Sequence, residues 1–76
     1  MLRYVTYEIE KGNHDDELCG FLIELGAEAV TSSTYKIDTS IDLKKFCAIL
    51  KNFTSSGDQV SVIYQIEDTI LHKTIR

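Results

Sequence analysis

The chain has 76 residues, of which 43% are hydrophobic and 26% are charged, and its formal net charge is −4. A chain of this length makes one domain near the lower size limit for a stable core, so we expect a homodimer to supply part of the burial. No stretch is apolar and long enough to span a membrane or to act as a signal peptide, which favours a cytoplasmic protein without a membrane partner. The acidic balance makes nucleic acid an unfavourable tight partner, because cationic contacts to phosphates supply most of that affinity. The exception would be a clustering of the cations on one face, namely Arg3, Lys36, Lys44, Lys45 and Lys51.

Cys19 and Cys47 each lie in an apolar stretch of helical spacing, and neither belongs to a Cys-x-x-Cys or Cys/His pattern. Metal and redox sites built on cysteine need such closely spaced partners. We therefore predict buried, reduced thiols, no disulfide and no cysteine-bound cofactor.

The first half of the chain predicts a strand followed by a helix. Residues 2–9 alternate, with Val5, Tyr7 and Ile9 on one side and Tyr4, Thr6 and Glu8 on the other. This pattern is typical of a strand with one buried face. A helix is predicted from His14, after a cap at Asn13, because its apolar residues Leu18, Phe21, Leu22 and Leu25 have one-sided spacing. Gly26 is expected to end it.

The second half predicts a hairpin, a helix and a strand. Residues 29–32 and 34–38 are predicted to pair around a turn at Ser33. Ser40 or Asp42 can cap a second helix, whose apolar face is Leu43, Phe46, Cys47, Leu50 and Phe53. A turn at 55–58 follows, and residues 59–66 alternate again as a strand.

The order strand, helix, strand, strand, helix, strand over residues 1–66 predicts one ferredoxin-like α+β domain, with both helices on one face of an antiparallel sheet. Residues 67–76 form a C-terminal tail that is either a fifth strand or a frayed end. We favour a short extra strand that pairs with another chain, because edge strands offer unpaired backbone groups for such addition.

Several short motifs occur in a fixed order along this pattern. They are Val5-Thr6-Tyr7-Glu8, Leu25-Gly26-Ala27, Ser33-Thr34-Tyr35-Lys36-Ile37 and Asp58-Gln59-Val60-Ser61-Val62. In order and spacing the chain resembles the CRISPR-associated Cas-two-like superfamily, in particular its small stand-alone members, some of which are described as SinR-like. The similarity covers about residues 3–66.

The resemblance implies a candidate site at Glu8. The superfamily includes metal-dependent nucleases, ribonuclease toxins resembling virulence-associated protein D, antitoxin ribonucleases of the GhoS type, and structural dimers of integration complexes. In its nucleases an aspartate at the end of the first strand, one from each subunit, holds a divalent metal. Glu8 stands at that position here, which implies a catalytic, metal-binding carboxylate with magnesium or manganese as cofactor. Asp38, as a second metal ligand, or Glu10 would support it.

The alternative is that Glu8 is a surface carboxylate that binds no metal, and we favour it. Alternation places Glu8, Lys36 and Asp38 on the open face of the sheet, so Glu8 can pair with Lys36 or simply face solvent. The glutamate side chain also carries its carboxylate about one bond length further than aspartate, a displacement large enough to disturb catalysis. His72 lies in the tail without a carboxylate at a defined spacing.

Three functions remain open on these grounds. The favoured one is a dimeric protein-interaction or regulatory module without catalysis. The second is a magnesium-dependent nuclease that uses Glu8, with RNA as the favoured substrate. The third is an acidic inhibitor that presents negative charge to a nucleic-acid-binding protein.

Overall fold

The computed structural model of the protein describes residues 1–9 and 15–76. Its elements are β1 (Leu2–Glu8), α1 (Asp15–Glu24), β2 (Glu28–Thr31), β3 (Thr34–Asp38), α2 (Leu43–Asn52), β4 (Gln59–Ile66) and β5 (Thr69–Thr74). The strands form one five-stranded antiparallel sheet in the order β2-β3-β1-β4-β5. The α+β class, the antiparallel sheet and the two helices are thereby confirmed.

Both helices pack into the same hydrophobic core, against one side of the sheet. In the central row, Val5 of β1 pairs with Tyr35 of β3 and with Val62 of β4, so these three side chains share a face. The buried cluster consists of Val5, Leu18, Leu22, Tyr35, Ile37, Phe46, Cys47, Leu50, Val60 and Val62. Alternate strand residues thus meet the one-sided helix faces, as the apolar spacing predicts.

The predicted turns and caps are partly confirmed. Gly26 has φ +88° just after α1, a conformation that favours glycine because it lacks a Cβ. Asp42, rather than Ser40, caps α2, since its carboxylate accepts from the Lys45 amide at 3.3 Å. The predicted cap Asn13 and start His14 lie outside the described residues, as does Glu10.

The cysteines are both free thiols, with Cys47 buried and Cys19 half-buried. Burial raises the pKa of the Cys47 thiol, which keeps it protonated and unreactive at neutral pH.

The tail forms a fifth strand within its own chain, so the alternative of a frayed end is wrong. β5 pairs with β4, from Ile66 opposite Thr69 to Ser61 opposite Thr74. Beyond it, the amides of Ile75 and Arg76 donate to the Val60 carbonyl. The Arg76 guanidinium donates to the Lys51 carbonyl at 3.2 Å, at the end of α2 where a cation is favourable.

Arg3 departs most from the sequence prediction. The sequence suggests it as one of the cations that could cluster on a surface, yet it lies on the helix-covered side of β1 and is only 1% exposed. It therefore cannot contribute to a basic face for nucleic acid.

Neither α1 nor α2, each of ten residues, has the length and apolar character that crossing a bilayer requires, judged over the described part of the chain.

Candidate functional site

Glu8 lies at the end of β1, beside an open cavity of about 520 Å³. The Tyr7 amide donates to the Ser33 carbonyl at 2.9 Å, which holds the β2–β3 turn against the end of β1. On the other side, Glu8 stands opposite Gln59, the first residue of β4. The cavity is lined by Thr6, Tyr7, Glu8, Ile9, Ser32, Ser33, Gln59 and Ser61.

The cavity offers hydroxyl groups, one amide and a single carboxylate. Glu8 is exposed and forms no ion pair with any described residue. Magnesium and manganese need several oxygen ligands, usually with more than one carboxylate or a substrate phosphate among them. Within residues 1–9 and 15–76, no group of three or more histidine, cysteine, aspartate or glutamate side chains could hold a metal ion. The described residues of one chain therefore do not form a metal site at Glu8 by themselves.

Asp38 lies at the opposite end of the sheet from Glu8. It pairs with Leu2, six positions before Glu8, which corresponds to about 20 Å along an antiparallel strand. Its carboxylate accepts from the Met1 ammonium at 2.8 Å, and this contact lowers the pKa of Asp38. Asp38 and Glu8 therefore cannot bind one ion within a single chain.

The predicted partner Lys36 is also distant from Glu8. Lys36 stands opposite Tyr4 on β1 and opposite Glu28 on β2. Four strand positions separate Tyr4 from Glu8, about 13 Å, so Glu8 faces solvent rather than Lys36. His72 stands opposite Ile63 on β4, in the same row as Tyr4, and likewise lies away from the Glu8 cavity.

An aromatic pair behind the cavity was not foreseen from the sequence. The Tyr7 and Tyr35 rings are stacked, with centroids 6.0 Å apart, and the Tyr35 hydroxyl is hydrogen bonded to Cys19 Sγ at 2.9 Å. That hydrogen bond, together with burial, raises the pKa of Tyr35 well above its ordinary value near 10. Alternation places both rings on the inner face, but it carries no signal for the contact with α1. Of the two rings, that of Tyr7 lines the cavity.

No protein-family model matches the chain, and no curated protein matches it. The resemblance to the Cas-two-like superfamily therefore stays a prediction from the motifs.

Proposed function

We propose that the protein is a ferredoxin-like, Cas-two-like module that forms a homodimer and acts through protein–protein interaction or regulation, without catalysis. The order β2-β3-β1-β4 with two helices supports the ferredoxin-like assignment, with β5 added at one edge. The sparse ligand set at Glu8 favours interaction over metal chemistry.

The edge strand β5 carries this proposal. All six residues of β5 are exposed, and in the described part of the chain β4 is its one neighbour in the sheet. Ile70 is 72% exposed, although it is a large apolar side chain. An uncovered strand edge with exposed apolar side chains is a template for addition of another strand. A second copy of the chain, with the same edge, can cover it by two-fold symmetry.

Charge substitution on the edge strands tests the proposal. We expect light scattering at tens of micromolar protein to give a dimer mass for the wild type and a monomer mass for Ile70→Lys, because a lysine at the edge disfavours pairing. Val30→Lys is the matched control, since Val30 is 55% exposed on the other edge strand, β2. A dimer that survives Ile70→Lys but not Val30→Lys would move the interface to β2, and a monomeric wild type would contradict the proposal.

A second candidate, the magnesium-dependent nuclease, is supported by the cavity at Glu8. A two-fold axis near this end of β1 would bring two Glu8 carboxylates together, a pair able to hold magnesium and activate water. We expect no cleavage of single-stranded RNA or duplex DNA with magnesium or manganese. Cleavage by the wild type that Glu8→Ala abolishes and Glu8→Asp retains would establish the nuclease instead.

A further inference from the structure

A second cavity, of about 330 Å³, lies at the end of the sheet opposite Glu8. It opens between the start of β1, the end of β4 and the first turn of α2. Its lining residues are Met1, Leu2, Arg3, Ser40, Ile41, Asp42, Leu43, Tyr64 and Ile66. Two of the apolar ones, Ile66 and Met1, are 51% and 65% exposed, so the apolar wall is partly uncovered. The volume is at the small end of the range for sites that bind small molecules.

Arg3 brings an unpaired positive charge to this cavity. Its side chain is 1% exposed, and its Nε and Nη1 groups donate to no acceptor in the described part of the chain. The guanidinium carbon lies 5.2 Å from the centre of the Phe46 ring. That cation–π contact attracts the charge but accepts none of the N–H bonds. A buried guanidinium without an acceptor is costly, and an anion that reached it would remove that cost.

The start of α2 adds a second favourable feature for an anion. Asp42 accepts from the Lys45 amide through its side chain and from the Phe46 amide through its carbonyl. The earlier amides of the first turn, at Leu43 and Lys44, form no hydrogen bond with the described residues, and Leu43 lines the cavity. Amides at a helix start attract negative charge.

We propose that this cavity binds a small monocarboxylate with an aliphatic or aromatic body, with the carboxylate on Arg3 and the body against Tyr64 and Ile66. A guanidinium matches a carboxylate with two parallel hydrogen bonds. The partly uncovered apolar wall favours a ligand with an apolar body, because contact between the two removes apolar surface from water. Asp42 at the rim and the net charge of −4 disfavour a dianion such as phosphate. This site is independent of Glu8 and of the β5 edge.

Octanoate is a suitable probe. We expect it to bind the full-length wild type in calorimetry and to shift the amide resonances of Ile41, Leu43 and Tyr64. In Arg3→Met the affinity should fall about tenfold or more, the loss expected for a hydrogen bond to a charged group. Lys36→Met is the control for overall charge, because Lys36 is exposed on the other face of the sheet, and it should change the affinity less than about twofold. Octanol should bind much more weakly than octanoate.

Ile41→Glu provides an independent variant, because it leaves Arg3 in place and adds a carboxylate to the cavity wall. It should weaken octanoate binding while circular dichroism shows an unchanged fold. The proposal is overturned if octanoate does not bind at concentrations up to about 10 mM. Equal affinity of the wild type, Arg3→Met and Ile41→Glu would overturn it as well, and so would equal binding of octanoate and octanol.

Discussion

Arg3 combines a favourable and an unfavourable contribution within the core. The contact with the Phe46 ring contributes about 0.5–2 kcal/mol of stabilisation. Two buried donors without acceptors cost about 1–3 kcal/mol each, so the unfavourable term is the larger one. A carboxylate bound at Arg3 would supply an acceptor and offset this cost, which is the role of the proposed ligand.

The balance at Arg3 predicts the effect of an apolar replacement. Arg3→Met retains the length of the side chain and removes the buried charge, so we expect the free energy of unfolding to rise by about 1 kcal/mol in urea denaturation without ligand. The exposed cation Lys45 serves as control, because Lys45→Met should change stability by no more than about 0.5 kcal/mol. A loss of stability in Arg3→Met would show that the guanidinium stabilises the core.

Tyr35 predicts a dependence of stability on alkaline pH. Its pKa is raised in the folded protein by the hydrogen bond with Cys19 and by burial, so the unfolded chain loses the phenol proton first. The contribution is fully present below about pH 10 and is lost as the pH rises from there towards the folded value. We expect the denaturation midpoint to fall as the pH rises above about 10, and Tyr35→Phe to reduce that fall. Tyr4→Phe, on the open face, should leave the fall unchanged; an identical fall in Tyr35→Phe would contradict the assignment.

Residue alternation predicted the sides of the sheet but not distances along it. It placed Glu8, Lys36 and Asp38 on one face, and the register agrees. The same register puts Asp38 beside Leu2, because the antiparallel direction of β3 reverses the positions. Since side-chain period defines faces and only pairing defines position, a shared face was mistaken for a shared site. The burial of Arg3 was not predicted for a different reason. Arg3 alternates in register with Val5 and Tyr7, which predicts the inner face, but a charged side chain is normally exposed.

At the level of elements, the local signals were the reliable ones. β4 spans Gln59–Ile66, the range that alternation predicts, and α2 starts after an aspartate cap. The sequence left open whether residues 67–76 form a strand or a frayed end, because β5 forms by pairing with β4 rather than through a pattern in its own residues. Its six positions are all exposed, so hydrophobic pattern could not define it. The β4–β5 hairpin and the Arg76 contacts with α2 are tertiary features.

Phe46 tests how α2 is held on the sheet. It is fully buried in the common core and contacts the Arg3 guanidinium. Phe46→Ala should lower the free energy of unfolding by about 3–5 kcal/mol, a large share of the stability of so small a domain. Lys44→Ala, at an exposed position of the same helix, is the matched control and should have little effect. An unchanged denaturation midpoint for Phe46→Ala would contradict the packing described above.

At the level of the whole molecule, the two ends of the sheet and its β5 edge have different chemistry. The Glu8 end is polar and carries one carboxylate, whereas the Arg3 end is apolar around a buried cation. The β5 edge presents backbone groups and Ile70. This division supports a small interaction module that can associate through its edge while its Arg3 cavity stays open to a ligand.

Amide hydrogen exchange at two protein concentrations tests the association through β5 most directly. Strand addition protects backbone amides at the paired edge and leaves the remote edge unchanged. We predict that protection within Thr69–Thr74 rises as the protein is concentrated from about 1 to 100 µM, while protection within Glu28–Thr31 stays constant. Exchange in β5 that is independent of concentration, or a rise confined to β2, would contradict the proposed mode of association.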